Sequence, residues 1–353
     1  MNVRVKQINR LFMLVTAPFI GMMIWMLVST LHVTAEVDWS PSPEPAGWTD
    51  KNEKLYISLD EAQHTASFTV ESIQKTSTLY QQTTQAMNDI VSTAGTQAKR
   101  PEQIYDRRIS AKLGTVKERI DSDKLRAELY RINQPTYQGY AMKVKLKDPS
   151  AMRLTLGKDK YGGAETTMQA VKRYGAVAGI NAGGFADGKG NRYPLGTTVM
   201  DGEYVNSFEP TYKDLAFVGL DVGGKLIGGK FSEKQQLDTL KPQHGATFVP
   251  ALLKNGRKLA IPQKWQSSRA PRTVIGNYKD DQLLILVADG YDEKGSSGAK
   301  LEELQAKLSN LGVIDAYNLD GGGSSSLIFN GRVVNNPSDG ELRALPTHFL
   351  FFK

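Results

Sequence analysis

The sequence predicts an α+β fold: a strand-rich mixed or antiparallel sheet core with a few helices, preceded by a transmembrane helix and a helical stalk. Three observations carry this prediction. After Pro135, short apolar runs alternate with glycine-bearing turns; before it lies a long polar segment; and near the N-terminus stands an uncharged apolar run. The predicted order is a cytoplasmic tail, a transmembrane anchor, a Pro-rich linker, a helical stalk and a catalytic-type domain, at residues 1–10, 11–31, 32–50, 51–134 and 135–353.

The N-terminal apolar run Leu11–Leu31 contains no charged residue and is long enough to cross the hydrocarbon core of a membrane as a helix. Arg4, Lys6 and Arg10 precede it. The positive-inside rule then places the N-terminus in the cytoplasm and the rest of the chain outside. These features predict a single-pass cell-membrane protein with an extracellular domain. A cleaved signal peptide is the alternative.

The linker and the stalk differ in composition. Alternating prolines in residues 32–50 predict a stiff, extended spacer. Residues 51–134 are rich in Gln, Thr, Ser and charges, and a heptad repeat within them indicates a helical stalk that self-associates. The residues that recur every seven positions are Ala66, Ile73, Tyr80, Met87 and Ala94. Because threonines occupy the companion heptad positions, a helical hairpin packed on the main domain is the alternative.

The C-terminal segment shows the local signals of hairpins and two helices. Asp-Gly or Asn-Gly pairs at 201, 255 and 330 separate apolar runs, as they do in β-hairpins. Helices are predicted at 165–174 and at 299–311, the second ending at Gly312. The stretch "GLDVGGK" matches the start of a phosphate-binding loop, but Leu226 follows where Ser or Thr is needed. That stretch is therefore interpreted as a hairpin.

Composition excludes several classes of site. The 353 residues include no cysteine, so thiol catalysis and cysteine-ligated metals are excluded, and the four histidines form no close ligand pair. No nucleic-acid-binding signature is present. No cofactor is required by the sequence; a divalent cation held by acidic oxygens is an open alternative, and the metal is undetermined. The net charge of +7 suits an anionic surface or substrate.

Polar residues and glycines gather at the ends of several predicted strands, where loops commonly form sites. The stretches are, in chain order, "GINAGGF", "RTVIG", "VADG", "SSGAKLEEL", "NLDGGGSSSLIFNG" and "NNPSDGELR". In this order they resemble the phosphodiester glycosidase family, and the resemblance covers residues 136–353. It implies a domain that hydrolyses the glycosidic bond of a sugar-1-phosphodiester.

This chemistry indicates which residue types the site needs. A phosphate monoester leaves readily, so a dedicated general acid is less necessary than in ordinary glycoside hydrolysis. A carboxylate is needed to stabilise the sugar centre, and Asp320 is the first candidate, followed by Asp289 and Glu303. Forked guanidinium groups match phosphate, which favours Arg272 and Arg343. The remaining substrate- or phosphate-binding candidates are Asn181, Gly321, Gly322, Gly323, Ser324, Ser325 and Ser296.

Each candidate also has a purely structural interpretation. Asp320 and Asp289 are next to glycine turns, Arg272 and Arg343 suit structural ion pairs, and Glu303 suits a solvated helix surface. The predicted function is hydrolysis of a sugar-1-phosphodiester in a cell-envelope polysaccharide or teichoic-acid-like polymer. The alternative is a noncatalytic protein that binds glycan phosphate during exopolysaccharide or cell-wall assembly. A phosphatase or nuclease cutting the P–O bond is a third class.

Overall fold

The computed structural model describes residues 16–23, 25, 48–290 and 298–353. The chain divides into two compact units, Met1–Ile90 and Val91–Lys353. Helix α1, Trp48–Leu113, begins in the first unit and ends in the second. Its side chains from 51 to 104 are exposed, and Pro101 lies inside it. Of the stalk predicted for residues 51–134, residues 51–113 are therefore helical.

The prediction of a transmembrane helix is wrong, and the single-pass membrane localisation is corrected with it. Of the predicted span Leu11–Leu31, residues 16–23 and 25 are helical and the others lie outside the described residues. Within the described ranges, no helix combines the length and the apolar character that crossing a membrane requires. The long helix α1 does not qualify, because polar and charged side chains recur along its whole length.

The second unit consists mainly of antiparallel strands with short helices between them. After α1, the helices are α2 (Thr167–Tyr174), α3 (Lys234–Asp238) and α4 (Leu301–Leu311). The strands are β1 (Val116–Asp121), β2 (Leu125–Asn133), β3 (Gln138–Leu146), β4 (Met152–Leu156), β5 (Ala178–Asn181), β6 (Phe185–Gly188), β7 (Asn191–Pro194), β8 (Val199–Met200), β9 (Glu203–Tyr204), β10 (Ala216–Asp221), β11 (Leu226–Gly229), β12 (Pro242–Phe248), β13 (Ala251–Lys254), β14 (Arg257–Lys258), β15 (Arg272–Asn277), β16 (Leu283–Ala288), β17 (Asp315–Leu319), β18 (Leu327–Phe329), β19 (Arg332–Val333) and β20 (Thr347–Phe351).

The described strands form one eight-stranded sheet, two five-stranded sheets and a hairpin. The eight-stranded sheet has the order β1-β2-β3-β16-β15-β17-β13-β14. The others have the orders β11-β10-β12-β8-β9 and β19-β18-β5-β20-β4, and β6 pairs with β7. Every strand pair among them is antiparallel. This architecture agrees with the predicted strand-rich α+β core.

Two apolar layers cover the faces of the eight-stranded sheet. One face shares a core with both five-stranded sheets, through side chains such as Ile275, Phe349 and Val218. The other face packs against α4 and the end of α1, through side chains such as Val274 and Leu304. Because side chains alternate along a strand, Ile275 and Val274 pack in opposite layers. This alternation also decides where the functional side chains point.

The helix ends at Leu113, well before the predicted end of the stalk at residue 134. β1 and β2 follow it and pair with each other and with β3. Lys143 of β3, only 1% exposed, forms ion pairs with Asp106 of α1 at 2.7 Å and Glu128 of β2 at 2.8 Å. A buried charge needs such partners. The pairs hold the end of α1 on these two strands.

The predicted local elements are confirmed in the second unit. The Asp-Gly and Asn-Gly pairs turn β8 into β9, β13 into β14 and β18 into β19, with positive φ at both residues of each pair. The two predicted helices are α2 and α4, and Gly312 ends α4 with φ 86°. "GLDVGGK" lies in the hairpin of β10 and β11, as expected.

Candidate functional site

Three strand ends meet at one edge of the eight-stranded sheet. β15 runs antiparallel to both of its neighbours, so its first residues lie beside the last residues of β16 and β17. Arg272 is paired with Ala288, and Thr273 with Leu319. Asp289 and Asp320 directly follow these strands. Three of the predicted stretches, "RTVIG", "VADG" and "NLDGGGSSSLIFNG", are thereby brought to one edge.

The glycine loop after β17 is folded against the start of β15. The Gly322 amide donates to the Pro271 carbonyl at 2.9 Å, and Gly322 has φ 58°, a left-handed conformation suited to glycine. The Ser324 and Ser325 amides donate to carbonyls of the same loop at 3.2 and 3.1 Å. Three of the five backbone amides of the candidate residues Gly321–Ser325 are thus bonded within the protein. Ser324 and Ser325 are themselves buried.

Arg343 lies directly on this loop. Its Nη1 donates to Ser324 Oγ at 3.4 Å, and its Nη2 donates to Asp339 Oδ2 at 2.6 Å. A side chain at Gly323 would collide with the Arg343 guanidinium and the Asp339 carboxylate. Glycine at this position leaves room for that close approach. Arg343 is about one-third exposed, so part of its charge remains accessible from solvent.

Asp320 has the properties of a functional carboxyl group. Burial raises its pKa from the ordinary 3.8 to about 6. The Ser324 hydroxyl, the Gly321 amide and the positive charge of Arg343 oppose this rise. A carboxyl group with a raised pKa beside an arginine, at the end of a strand, is typical of an active site. Asp320 and Arg343 are both partly exposed, which a ligand-binding pair requires.

Asp289 lies close to the segment that carries Arg343. Its Oδ1 accepts a hydrogen bond from the Asn336 amide at 2.7 Å. Next to it, Gly290 packs so closely on Pro271 and Ser338 that a side chain would collide with them. These contacts hold residues 336–338 at the sheet edge. Asp289 is partly exposed and adjoins the same edge as Asp320.

The Arg272 guanidinium is bonded to backbone carbonyls rather than to a carboxylate. Its Nη2 donates to the Ser268 carbonyl at 3.0 Å and its Nε to the Ala299 carbonyl at 3.5 Å. The side chain is only 4% exposed, and burial lowers its pKa, an effect that the nearby charge of Glu302 opposes. The backbone of Arg272 thus adjoins the glycine loop, whereas its charged group lies among backbone carbonyls.

Glu303 lies in the first turn of α4 and is held by local partners. Burial alone would raise its pKa, but hydrogen bonds from Arg269 and from the Lys300 amide outweigh that effect, so the pKa lies below its usual value. Arg269 donates through both Nη atoms, at 3.1 and 2.5 Å, and the Lys300 amide donates at 3.1 Å. Ser296, another candidate, lies outside the described residues.

Asn181 is fully buried and joins β5 to the glycine loop. Its Nδ2 donates to the Asp320 carbonyl at 2.6 Å. Its Oδ1 accepts from the Ser326 amide at 3.1 Å and from the Thr273 hydroxyl at 2.8 Å. Asn181 therefore contacts both ends of the loop rather than its surface. Sequence reasoning did not identify Thr273, although it lies within the quoted "RTVIG" stretch.

Asn335 was also missed, and it too is bonded to the backbone of the loop and of β18. Its Nδ2 donates to the Ser325 carbonyl at 3.1 Å, and its Oδ1 accepts from the Leu327 amide at 2.8 Å. The signal was available, since Asn335 begins the "NNPSDGELR" stretch. Among the described residues, no group of three or more His, Asp or Glu side chains is arranged to hold a metal ion.

A cavity of about 650 Å³ lies elsewhere in the second unit. It is lined mainly by apolar atoms, with Tyr317 and Lys254 among its polar residues. Lys254 is already bonded to Asp315 at 2.8 Å, to Tyr317 at 3.1 Å and to the Gly228 carbonyl at 3.1 Å. The cavity does not include Asp320 or Arg343. Chemistry, rather than cavity size, therefore identifies the sheet edge as the candidate site.

Known proteins are similar to this part of the chain. A protein-family model described as phosphodiester glycosidase matches residues 174–352. The N-acetylglucosamine-1-phosphodiester alpha-N-acetylglucosaminidase of Mus musculus is 30% identical over 161 residues, covering 41% of this chain and 30% of the mouse protein. The SPbeta prophage-derived uncharacterized protein YomE of Bacillus subtilis (strain 168) is 30% identical over 187 residues, covering 51% of this chain and 28% of YomE. The chain thus spans less than a third of either relative.

A solved structure shares the fold. The zebrafish N-acetylglucosamine-1-phosphodiester alpha-N-acetylglucosaminidase catalytic domain, auto-inhibited by its pro-peptide, superposes with a TM-score of 0.55 at 22% identity. The match covers 66% of this chain and 85% of the zebrafish chain. At this level of identity the likeness concerns the fold.

Proposed function

Because the chain belongs to the phosphodiester glycosidase family, we propose that it hydrolyses the bond between a sugar anomeric carbon and a phosphodiester oxygen. The observation that carries the proposal is the proximity of Asp320, a carboxyl group with a raised pKa, to the charge of the loop-bound Arg343. The Asp320 carboxylate suits the developing positive charge of the sugar, and the Arg343 guanidinium suits the negative charge of the phosphate. The printed names of the mouse and zebrafish relatives, which specify a sugar-1-phosphodiester, support the same bond.

The proposed step uses the ionised form of Asp320. The bond from C1 to the phosphate oxygen breaks, and its electron pair leaves with the phosphate. The Asp320 carboxylate stabilises the positive centre at C1, water adds to C1, and its proton passes to the carboxylate. With a pKa of about 6, the carboxyl is mostly ionised at neutral pH and is a stronger base than an ordinary aspartate.

Arg343 is the proposed phosphate ligand. Its guanidinium is partly exposed and has donors beyond the two that bond to Ser324 and Asp339. Arg272 is proposed instead as a structural anchor, since its donors meet the Ser268 and Ala299 carbonyls. Asp289 is proposed to hold the Arg343 segment through the Asn336 amide, and Glu303 to hold the start of α4.

We propose an anionic glycan as the substrate, of the kind found in envelope polysaccharides or teichoic-acid-like polymers. The support is the net charge of +7 together with the phosphate-directed site. The competing function is glycan-phosphate binding without turnover, which would use the same arginine. A single experiment separates these functions.

The experiment incubates the full chain with a synthetic N-acetylglucosamine-1-phosphodiester in water enriched in ¹⁸O. Glycosidase action releases free sugar carrying ¹⁸O and an unlabelled phosphate monoester. Asp320→Asn should lower the rate by about 10²- to 10³-fold, whereas Asp123→Asn, at an exposed position, should not change it. Label in the phosphate would indicate P–O cleavage. Saturable binding without products would support the binding function.

We also propose that α1 associates with α1 of a second copy. With Leu59 at heptad position a, every charged residue between 52 and 99 falls at b, c or f. These residues are Glu53, Lys54, Asp60, Glu61, Glu71, Lys75, Asp89 and Lys99. The a, d, e and g positions, which face a partner helix, are uncharged and exposed in the described structure.

Sedimentation velocity tests this association with matched variants. Ile73→Glu with Tyr80→Glu places charges at two a positions, both exposed by more than 60%. Gln74→Glu with Thr78→Glu places the same charges at b and f. The first pair should convert dimers to monomers, and the second pair should leave them intact. A wild-type monomer at all concentrations tested would contradict the proposal.

A further inference from the structure

The loop that carries Asp320 is held at both ends by one buried amide. Asn181 donates to the carbonyl of Asp320 and accepts from the amide of Ser326, at 2.6 and 3.1 Å. The Thr273 hydroxyl also donates to the same Oδ1 at 2.8 Å. Because this oxygen accepts two hydrogen bonds, the orientation of the amide is fixed, and with it the separation of the loop ends.

A second set of contacts fixes Ser326. Thr167 Oγ1, at the start of α2, lies 2.7 Å from Ser326 Oγ and 3.1 Å from His348 Nδ1 of β20. Thr167 and His348 are 0% exposed, and Ser326 is 3% exposed. Elements distant in the sequence therefore converge on the last residue of the loop.

This cluster is polar, neutral and sealed from solvent. Burial lowers the pKa of His348 to about 4, so its imidazole is uncharged at neutral pH and offers one donor and one acceptor. Buried polar groups are costly unless they are hydrogen-bonded, and once bonded they define a single arrangement. None of these side chains reaches a ligand at the surface, so any effect on chemistry must pass through the loop.

We propose that Thr167, His348 and Thr273 are positioning residues, which hold the Asp320 carboxylate in place through Ser326 and Asn181. The inference rests on the proposed glycosidase function. Loss of the Thr167 hydroxyl removes the partner of both Ser326 Oγ and His348 Nδ1. Loss of the Thr273 hydroxyl frees the Asn181 amide to rotate. Either change releases one end of the loop.

The test compares Thr→Val substitutions that keep side-chain shape. Thr167→Val and Thr273→Val should each lower kcat by about 10²-fold with little change in KM, the cost of roughly 1 Å of misplacement. Thr167→Ser should restore kcat because it returns the hydroxyl. Thr347→Val is the matched control: Thr347 is 1% exposed, adjoins His348, and its hydroxyl has no hydrogen-bond partner among the described residues.

A second readout does not depend on turnover. The ¹³C signal of the Asp320 carboxyl, identified by its loss in Asp320→Asn, should titrate near pH 6 in the wild type. The pH at which this signal titrates should shift in Thr167→Val and Thr273→Val but not in Thr347→Val. The inference is overturned if Thr167→Val matches Thr347→Val in both kcat and carboxyl titration. If the wild type cleaves no phosphodiester, the proposed function fails, and the titration alone decides whether the cluster positions Asp320.

Discussion

Replacing Asp320 with Asn should stabilise the protein while reducing its activity. Burial opposes ionisation of this carboxyl group and raises its pKa from 3.8 to about 6. The folded state therefore binds a proton more tightly than the unfolded state does. Between pH 3.8 and 6, stability falls as the pH rises, and above this range the full penalty is present. Asparagine keeps the acceptor oxygen but carries no charge, so it avoids the penalty.

The size of the effect follows from the two pKa values. The interval from 3.8 to about 6, at about 1.36 kcal/mol per pH unit, corresponds to about 3 kcal/mol. This is an upper bound, because Asp320 is partly exposed and its carboxylate keeps some contact with water. A gain of between about 1 and 3 kcal/mol in the free energy of unfolding is expected at pH 7.5, and none is expected below pH 4.

Urea denaturation of the wild type, Asp320→Asn and Asp123→Asn at pH 7.5, 5.5 and 4 measures this difference. The advantage of Asp320→Asn should shrink steadily as the pH falls, whereas that of the exposed control should stay near zero. A variant that is less stable than the wild type at pH 7.5, by an amount independent of pH, would refute the reasoning. The ionised carboxylate would then be stabilised, rather than strained, by its surroundings.

The two arginines should give different pH and stability profiles. The charge of Arg343 lowers the pKa of Asp320, so Arg343→Gln should raise that pKa and move the acidic limb of kcat/KM, expected near pH 6, to higher pH. An unmoved limb would show that the two groups are not coupled. Arg272→Gln should leave the limb in place but lower the free energy of unfolding, by about 1–3 kcal/mol, since it removes the hydrogen bonds of a buried guanidinium to the Ser268 and Ala299 carbonyls. If urea denaturation shows unchanged stability while phosphate affinity falls, the assignment of Arg272 as an anchor is wrong.

Local signals in the sequence predicted the hairpins and short helices well. An Asn-Gly or Asp-Gly pair provides its own reason for a turn, because both residues accept positive φ. The end of the stalk was not predictable in the same way. β1 and β2 are rich in Glu, Lys and Arg, which favour helices in isolation. Pairing with β3 and the buried ion pairs of Lys143 make them strands, and both are long-range effects.

The sequence predicted which residues gather at the candidate site but not which way their side chains point. The sequence placed Arg272 at a strand start and Asp320 at a strand end, and the sheet brings these ends together. Alternation along β15 puts Arg272 on the same face as Val274, which packs against the layer containing α4. Sequence alone does not tell which face of a two-sided buried sheet carries the chemistry. Arg343, from a segment beyond β19, lies beside Asp320 instead.

Two of the three glycines after Asp320 have different physical roles in the loop. Gly322 adopts a left-handed backbone conformation that turns the loop back onto Pro271. At Gly323, the Arg343 guanidinium and the Asp339 carboxylate occupy the space that a side chain would take. The loop is therefore shaped as much by the arginine it receives as by its own turn. The close approach of Arg343 to this loop also places its charge near Asp320, which couples the proposed phosphate ligand to the carboxylate.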